Sequence, residues 1–429
     1  MTQINIIALG SRGDVQPHVV QAVALQQAGY SVRLLAPHVF ANFAAQHNVP
    51  FAPLQGDVQG MLLSDDGKEL LKTRNPLKMA AKMRDMAQPI LRKGTLDAIE
   101  ACRDADLLLI GGTGGWIGLN VMDALNIPAT PCYLQPMVPS GDYFSCIMPQ
   151  PPIPMPRFIN RWSTALSFDG FWQMVRAPFN EIREKELGLP PMPRWGVFTD
   201  YFKRREPILM AFSQHVLPRS ADWTPNIHLT GYWYLNDADQ YEPPSGLVAF
   251  LQAGPPPVYI GFGSMNNEDP AETTRLVLRA LELSGQRGVL LSGWGGLDTA
   301  QLPPSVFHLS STSHHWLLPQ MAAVVHHGGA GTTAAGLRSG VPSIVVPFFG
   351  DQPFWANRVH ALGAGPKPIA RRNLSAENFA AAIKTAVTDQ TMRQRAADIG
   401  RKLNEEDGVG NMVVQVHKIV ADLRLTQSV

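Results

Sequence analysis

Apolar residues run in short blocks separated by stretches of helical spacing, and this alternation occurs twice along the chain. In the first half the blocks fall at residues 4–9, 31–36 and 106–110; in the second they fall at 257–262, 288–292, 322–326 and 342–347. Behind the first block, apolar positions recur at Val15, Val19, Val20, Val23 and Leu25, Asp14 stands where an N-cap belongs, and Gly29 closes the segment before Ser31. That order predicts strand, glycine-containing turn, helix and second strand. Strands alternating with helices predict a parallel sheet in each half, so the fold class is α/β. We expect a first domain over residues 1–240, whose end from about residue 231 is a turn-rich linker, and a second over 241–407. The helical pattern at residues 408–429 has no strand after it and is expected to pack back on the first domain.

A chain of 429 residues exceeds one compact core of ordinary size, which fits two domains. Thirty-six Lys and Arg against 35 Asp and Glu leave no basic field for nucleic acid. Cys102, Cys132 and Cys146 lack metal-ligand spacing, and their odd number points to reduced thiols in a cytoplasmic protein. No apolar run reaches the roughly 18 residues of a membrane span, and no basic segment opens the chain; peripheral contact with a membrane stays open. Eight prolines crowd residues 131–156, which excludes regular sheet there, and ten of the 16 methionines lie between Met61 and Met192. With Phe144, Phe158, Trp162, Phe168, Phe171 and Trp172 they suit an apolar binding wall, against the alternative of core filling.

Two motifs carry chemistry. Residues 10–17 read GSRGDVQP directly after the first apolar block, so Ser11, Arg12 and Asp14 sit at a strand's carboxyl end, where open α/β sheets bind ligands. An adhesive Arg-Gly-Asp loop would instead need a hairpin tip; the plain alternative is Asp14 as a helix cap. Residues 326–333, HHGGAGTT, form a glycine-rich turn that opens a helix running to about Leu337. Free amides and the macrodipole at such a start suit a diphosphate, with one histidine and two threonine hydroxyls as further donors. The spacing fits neither a dinucleotide fingerprint nor a P-loop, which needs a lysine. Past the next block, Asp351 and Gln352 pair an acid with an amide, a combination able to hold vicinal hydroxyls of a sugar; Asp351 could equally cap the helix of residues 352–363. Asp-x-Asp pairs at Asp104/Asp106 and Asp237/Asp239 lie before a strand and in the linker, and neither reads as a metal site.

GSRGDVQP, GFGSM at 261–265, HHGGAGTT and PFFGDQPFWANRV, in this order, resemble the family 1 glycosyltransferases of the GT-B fold, particularly the branch of sterol 3-beta-glucosyltransferases and bacterial antibiotic glycosyltransferases. The resemblance implies two Rossmann-like domains facing across a cleft, the first for an acceptor and the second for a nucleotide-sugar. It implies inverting transfer of a hexose, foremost glucose from UDP-glucose as co-substrate, to a hydroxyl of an apolar acceptor such as a sterol. A polyketide, macrolide or phenolic acceptor with a UDP- or TDP-sugar is the alternative, and an epimerase, hydrolase or non-catalytic nucleotide-sugar binder the competing class. By motif, Asp14 would be the general base and Ser11 and Arg12 would lie near the donor phosphates. Ser264, His327, Gly329, Gly331 and Thr332 would hold the diphosphate, and Asp351 and Gln352 the sugar, with neither metal nor cofactor. Two departures stand out. Ser311, Thr312 and Ser313 occupy the region where plant members carry a base-stacking tryptophan, which leaves uracil or thymine open. Gly111-Gly112-Thr113 stands where those members carry an aspartate partner for the base, which leaves Asp14 acting alone.

Overall fold

In a computed structural model of the chain, described over residues 1–55, 76–198, 205–235, 241–262, 270–291 and 302–427, the apolar blocks are strands buried on both faces. The first sheet comprises β1 (Gln3–Ile7), β2 (Ser31–Pro37), β3 (Phe51–Leu54), β4 (Leu107–Gly111), β5 (Ala129–Tyr133), β6 (Ile208–Met210) and β7 (Ile227–Leu229). Its order is β3-β2-β1-β4-β5-β6-β7 and all its pairings are parallel. Helices cover both faces of such a sheet, which is why its strands are continuously apolar instead of alternating. The sheet grows outward in opposite directions from β1 and β4, where Ile7 pairs with Ile110. The carboxyl ends of these two strands therefore form a topological switch point, and the segment 8–14 leaves from it.

The second sheet repeats the device with β8 (Val258–Gly261), β9 (Gly288–Leu291), β10 (Val306–Leu309), β11 (Ala323–His326) and β12 (Ser343–Val345). Its order is β10-β9-β8-β11-β12, again parallel, so β8 and β11 flank its switch point and Gly261 pairs with His326. The chain divides into two compact units, one of Met1–Phe212, Arg219–Tyr234 and Asp407–Val429, the other of Ser213–Pro218 and Leu235–Glu406. The last helix, Gly408–Gln427, thus belongs to the first unit. It packs on the helix Arg12–Gln27, and Asn411 donates to the Thr230 carbonyl at 3.1 Å. Gly408 is needed at its entry, because a Cβ there would stand 2.3 Å from the Tyr232 carbonyl oxygen.

Three expectations are corrected. The first helix runs Arg12–Gln27 with Ser11 as its N-cap, so Asp14 occupies the third helical position instead of capping from outside. The proline-rich stretch does hold sheet at its start, since Pro131 lies within β5 opposite Ile110. Finally, the aromatic residues do not form one wall. Trp172 and Phe168 are core side chains: Trp172 stacks on Trp116 at 5.4 Å and Phe168 on Phe198 at 4.5 Å, while Phe158, Trp162 and Phe171 point outward. All three cysteines are buried and none forms a disulfide.

Candidate active site

In the first unit, the turn after β1 is shaped around one carboxylate. Gly10 adopts φ +110°, and a Cβ there would lie 2.5 Å from Asp14 Oδ2, so only glycine lets the carboxylate fold back over the turn. Asp14 Oδ2 accepts the Ser11 amide at 2.8 Å and the Ser11 hydroxyl at 3.0 Å. This is the carboxylate half of a capping box. Among the described residues no donor reaches Oδ1, which is the oxygen left to take a proton. Asp14 is partly buried, and burial raises its pKa above the ordinary carboxylate value while the two Ser11 donors pull it back down. A carboxylate with a raised pKa is a stronger base.

The neighbours of Asp14 have settled roles. The Ser11 hydroxyl proton is spent on Asp14. Arg12 is exposed, donates to Gln16 at 3.0 Å and lies 5.1 Å over the Phe43 ring. One turn after Asp14 stands His18, which the motif reading passed over although its four-residue spacing places it on the same helix face. His18 is buried, its Nδ1 meets Gln21 Oε1 at 2.9 Å, and burial lowers its pKa to about 4, so the imidazole is neutral. Its Nε2 fills the space beside Gly111, where a Cβ would come within 2.6 Å. The strand end where the resemblance implied an aspartate partner for the base is here a glycine packed under a histidine.

In the second unit, β11 ends at His326 and the chain turns through His327, Gly328 and Gly329 into the helix Ala330–Arg338. Gly328 takes φ +95°, with Val345 Cγ1 and the Gln352 carbonyl at 2.8 and 3.0 Å from where a Cβ would be. Its amide donates to His326 Nδ1 at 3.1 Å, which fixes the other ring nitrogen of this fully buried histidine as the protonated one. The first intrahelical bond runs from the Thr333 amide to the Gly329 carbonyl at 2.8 Å, so the amides of Ala330, Gly331 and Thr332 precede it and lie at the positive end of the helix dipole. His327 lies against this start: a Cβ on Gly329 would be 2.5 Å from its Nε2. Burial, and then the neighbouring His314, lower the His327 pKa to about 4. It is a neutral donor at pH 7, not a cation. Thr332 is partly exposed, whereas Thr333 is fully buried beneath the helix, so one threonine hydroxyl and not two can serve a ligand.

The loop after β12 brings the second pair close to this turn. Gln352 is buried, and its Oε1 accepts the amides of Phe348 at 2.8 Å and Phe349 at 3.3 Å, so that oxygen is already satisfied within the loop. Asp351 occupies the N-cap of the helix Gln352–Ala361, yet its carboxylate accepts Trp355 Nε1–H at 3.0 Å instead of an amide of the first turn. The close approach of Gly328 to the Gln352 backbone joins the two elements. Ser264 lies outside the described residues, as do Asp237 and Asp239. Ser313 caps the short helix His314–Leu317 by accepting the Trp316 amide at 3.3 Å. Among the described residues, no group of three or more His, Cys, Asp or Glu is placed to hold a metal ion, and no helix is long and apolar enough to cross a membrane.

Residues 4–127 match the model of the glycosyltransferase family 28 N-terminal domain, and residues 290–414 that of the erythromycin biosynthesis protein CIII-like C-terminal domain. The chain is 33% identical over 430 residues to sterol 3-beta-glucosyltransferase UGT80B1 of Arabidopsis thaliana, covering 97% of this chain and 68% of that protein. It is 34% identical to UGT80A2 of the same plant, covering 96% and 64%, and 33% identical to the sterol 3-beta-glucosyltransferase of Emericella nidulans, covering 97% and 30%. The chain thus spans about two thirds of the plant relatives and under a third of the fungal one. Among solved structures, the glycotransferase of kitacinnamycin superposes with a TM-score of 0.72 at 17% identity over 97% of this chain and 98% of that one. The calicheamicin glycosyltransferase CalG4 superposes with 0.69 at 16% identity over 98% of each.

Proposed function

Because the chain belongs to the family of the sterol 3-beta-glucosyltransferases, hexosyltransferases of the GT-B fold, we propose that it moves glucose from UDP-glucose to the hydroxyl of a sterol or a similar polycyclic lipid alcohol. The observation that carries this reading is 33% identity over 97% of the chain. Each unit supplies part of the chemistry. In the first, Asp14 Oδ1 takes the acceptor's hydroxyl proton as the oxygen bonds to C1 of the sugar, with inversion at that carbon. In the second, the bond from C1 to the diphosphate breaks, and the leaving UDP keeps the electron pair. The amides of Ala330, Gly331 and Thr332 and the neutral His327 stabilise that charge as it develops. By motif, Arg12 and Ser264 add donors to the diphosphate, and Asp351 and Gln352 hold the sugar hydroxyls.

Purified protein given UDP-glucose or dTDP-glucose with a panel of sterols and phenolic aglycones tests the proposal by mass spectrometry. A steryl glucoside is expected from UDP-glucose, and product on phenolic acceptors alone would overturn it. Since the leaving group is stabilised by amides and an imidazole, turnover is expected to survive exhaustive EDTA. Activity lost in EDTA and restored by magnesium would refute that.

His327→Ala is expected to weaken UDP binding about tenfold by calorimetry, the worth of one neutral hydrogen bond. Unchanged affinity would remove His327 from the diphosphate site.

A further inference from the structure

The long helix Arg157–Lys185 presents an apolar ridge that no described element covers. Phe158, Trp162 and Leu166 follow one another at four-residue spacing and are 66%, 65% and 59% exposed. Four-residue steps keep side chains on one face. Further along that face, Gln173 donates to the Arg194 carbonyl at 2.6 Å, which lays Trp195, 58% exposed, against the same side. From Phe158 to Gln173 the helix advances about 22 Å. Other exposed apolar residues are scattered singly and need no partner.

Basic charges border the first part of the ridge, and one carboxylate, Asp169, lies on its face between Leu166 and Gln173. Residues 143–168 contain Arg157 and Arg161 and no Asp, Glu or Lys. The carboxylates nearest its start, Asp142 and Asp222, are both ion-paired with Arg157, and Asp169 accepts the Gly196 amide at 3.4 Å. Arg161 is exposed with no ion-pair partner among the described residues, and Arg194 lies 5.7 Å over the Trp195 ring. Two tryptophans, each adjacent in sequence to an arginine, thus stand with Phe and Leu on a protruding surface.

We propose that this ridge is a docking surface for an anionic phospholipid bilayer, lying in the headgroup region with its aromatic side chains at the acyl boundary. Side chains more than half exposed stand proud of the surface, whereas small-molecule sites are concave. A protruding strip of Trp, Phe and Leu edged by arginine has the composition of an interfacial element. Anionic headgroups complement Arg161 and Arg194. The inference goes beyond glucosyl transfer and does not depend on the acceptor being a sterol.

The test is flotation of the whole protein with sterol-free vesicles, either of phosphatidylcholine alone or of phosphatidylcholine and phosphatidylserine in equal parts. Wild-type protein should float with the mixed vesicles, less so at high salt. Trp162→Ser with Leu166→Ser should cut the bound fraction about tenfold or more, since burial of their apolar surface is lost. Arg161→Glu with Arg194→Glu should abolish the preference for the mixed vesicles, and provides an independent variant should the first fail to fold. Transfer to cyclodextrin-delivered sterol should be unchanged in both. Failure of the wild type to float, equal flotation of both variants, or loss of transfer to delivered sterol would overturn the proposal, the last by making the ridge part of the acceptor site. A wild-type dimer abolished by the Ser variant would overturn it as well, because the ridge would then be a contact between two copies. Flotation uses neither acceptor nor nucleotide-sugar, so failure of the sterol reading is seen separately.

Discussion

Replacing Asp14 by Asn is expected to lower kcat for glucosyl transfer by about 10²-fold or more while UDP affinity and folding are preserved. The amide is nearly isosteric and its oxygen can still accept from Ser11, so the turn around Gly10 survives; only the ability to take a proton is lost. The same geometry separates the two roles of the carboxylate. Asp14 also helps to start its helix, and a cap alone is worth about 0.5–2 kcal/mol of stability with no effect on the chemical step. Ser11→Ala provides the converse. It removes a donor that lowers the Asp14 pKa, so that pKa rises further. A base works only when deprotonated, and its activity disappears as pH falls through its pKa. The acidic limb of the kcat/KM profile should therefore move to higher pH in Ser11→Ala and be absent from the residual activity of Asp14→Asn. Near-normal turnover in Asp14→Asn would return Asp14 to a purely structural role.

Gly328→Ala is expected to damage the second unit more than its size suggests. A residue with a side chain at φ +95° carries about 1–3 kcal/mol of backbone strain. The new methyl would also meet Val345 Cγ1 at 2.8 Å and the Gln352 carbonyl at 3.0 Å, and the carbonyl is backbone that cannot turn aside. Relief must come from the turn, which carries His327 on one side and the amides of the Ala330 helix on the other. UDP affinity should fall by at least about tenfold, the worth of one displaced hydrogen bond, and the melting temperature should drop. Gly350→Ala is the control, because Gly350 has φ +66° but nothing within 4 Å of its missing Cβ. It should show the backbone cost alone. Equal losses in the two variants, by calorimetry and thermal melting, would mean that the contacts under Gly328 are not what demands glycine.

Much of this architecture is visible in the order of residues, and the exceptions have physical causes. Long apolar strands such as β1 and β4 announce themselves, whereas β6 and β7 span three residues each, too few to display a period. The carboxylate at the first strand end is identifiable from sequence, but its place in the helix depends on the residue three positions ahead of it. Ser11-x-x-Asp14 is a capping-box spacing, and the serine at its head is the cap. Residue type also misleads about which aromatics face inward. Phe168, Trp172 and Phe179 are buried at spacings of four and seven, while Phe158, Trp162 and Leu166 share a different face at spacings of four. Two residues, about 200° of helical turn, separate Leu166 from Phe168. Phase along the helix, not hydrophobicity, distinguishes core from surface. The neutral state of His327 was not legible at all, because it depends on burial and on His314, neighbours that only folding assembles.

The return of the last helix to the first unit sets an order of assembly. During synthesis, domains generally fold as they emerge, yet the helix that carries Asp14 lacks its backing until Gly408–Gln427 leaves the ribosome. The residues of the second unit are all made in that interval. Of the two units, the one begun earlier is therefore completed later, and the turn around Asp14 gains its full support only when the glycine-rich turn after β11 already has its own sheet.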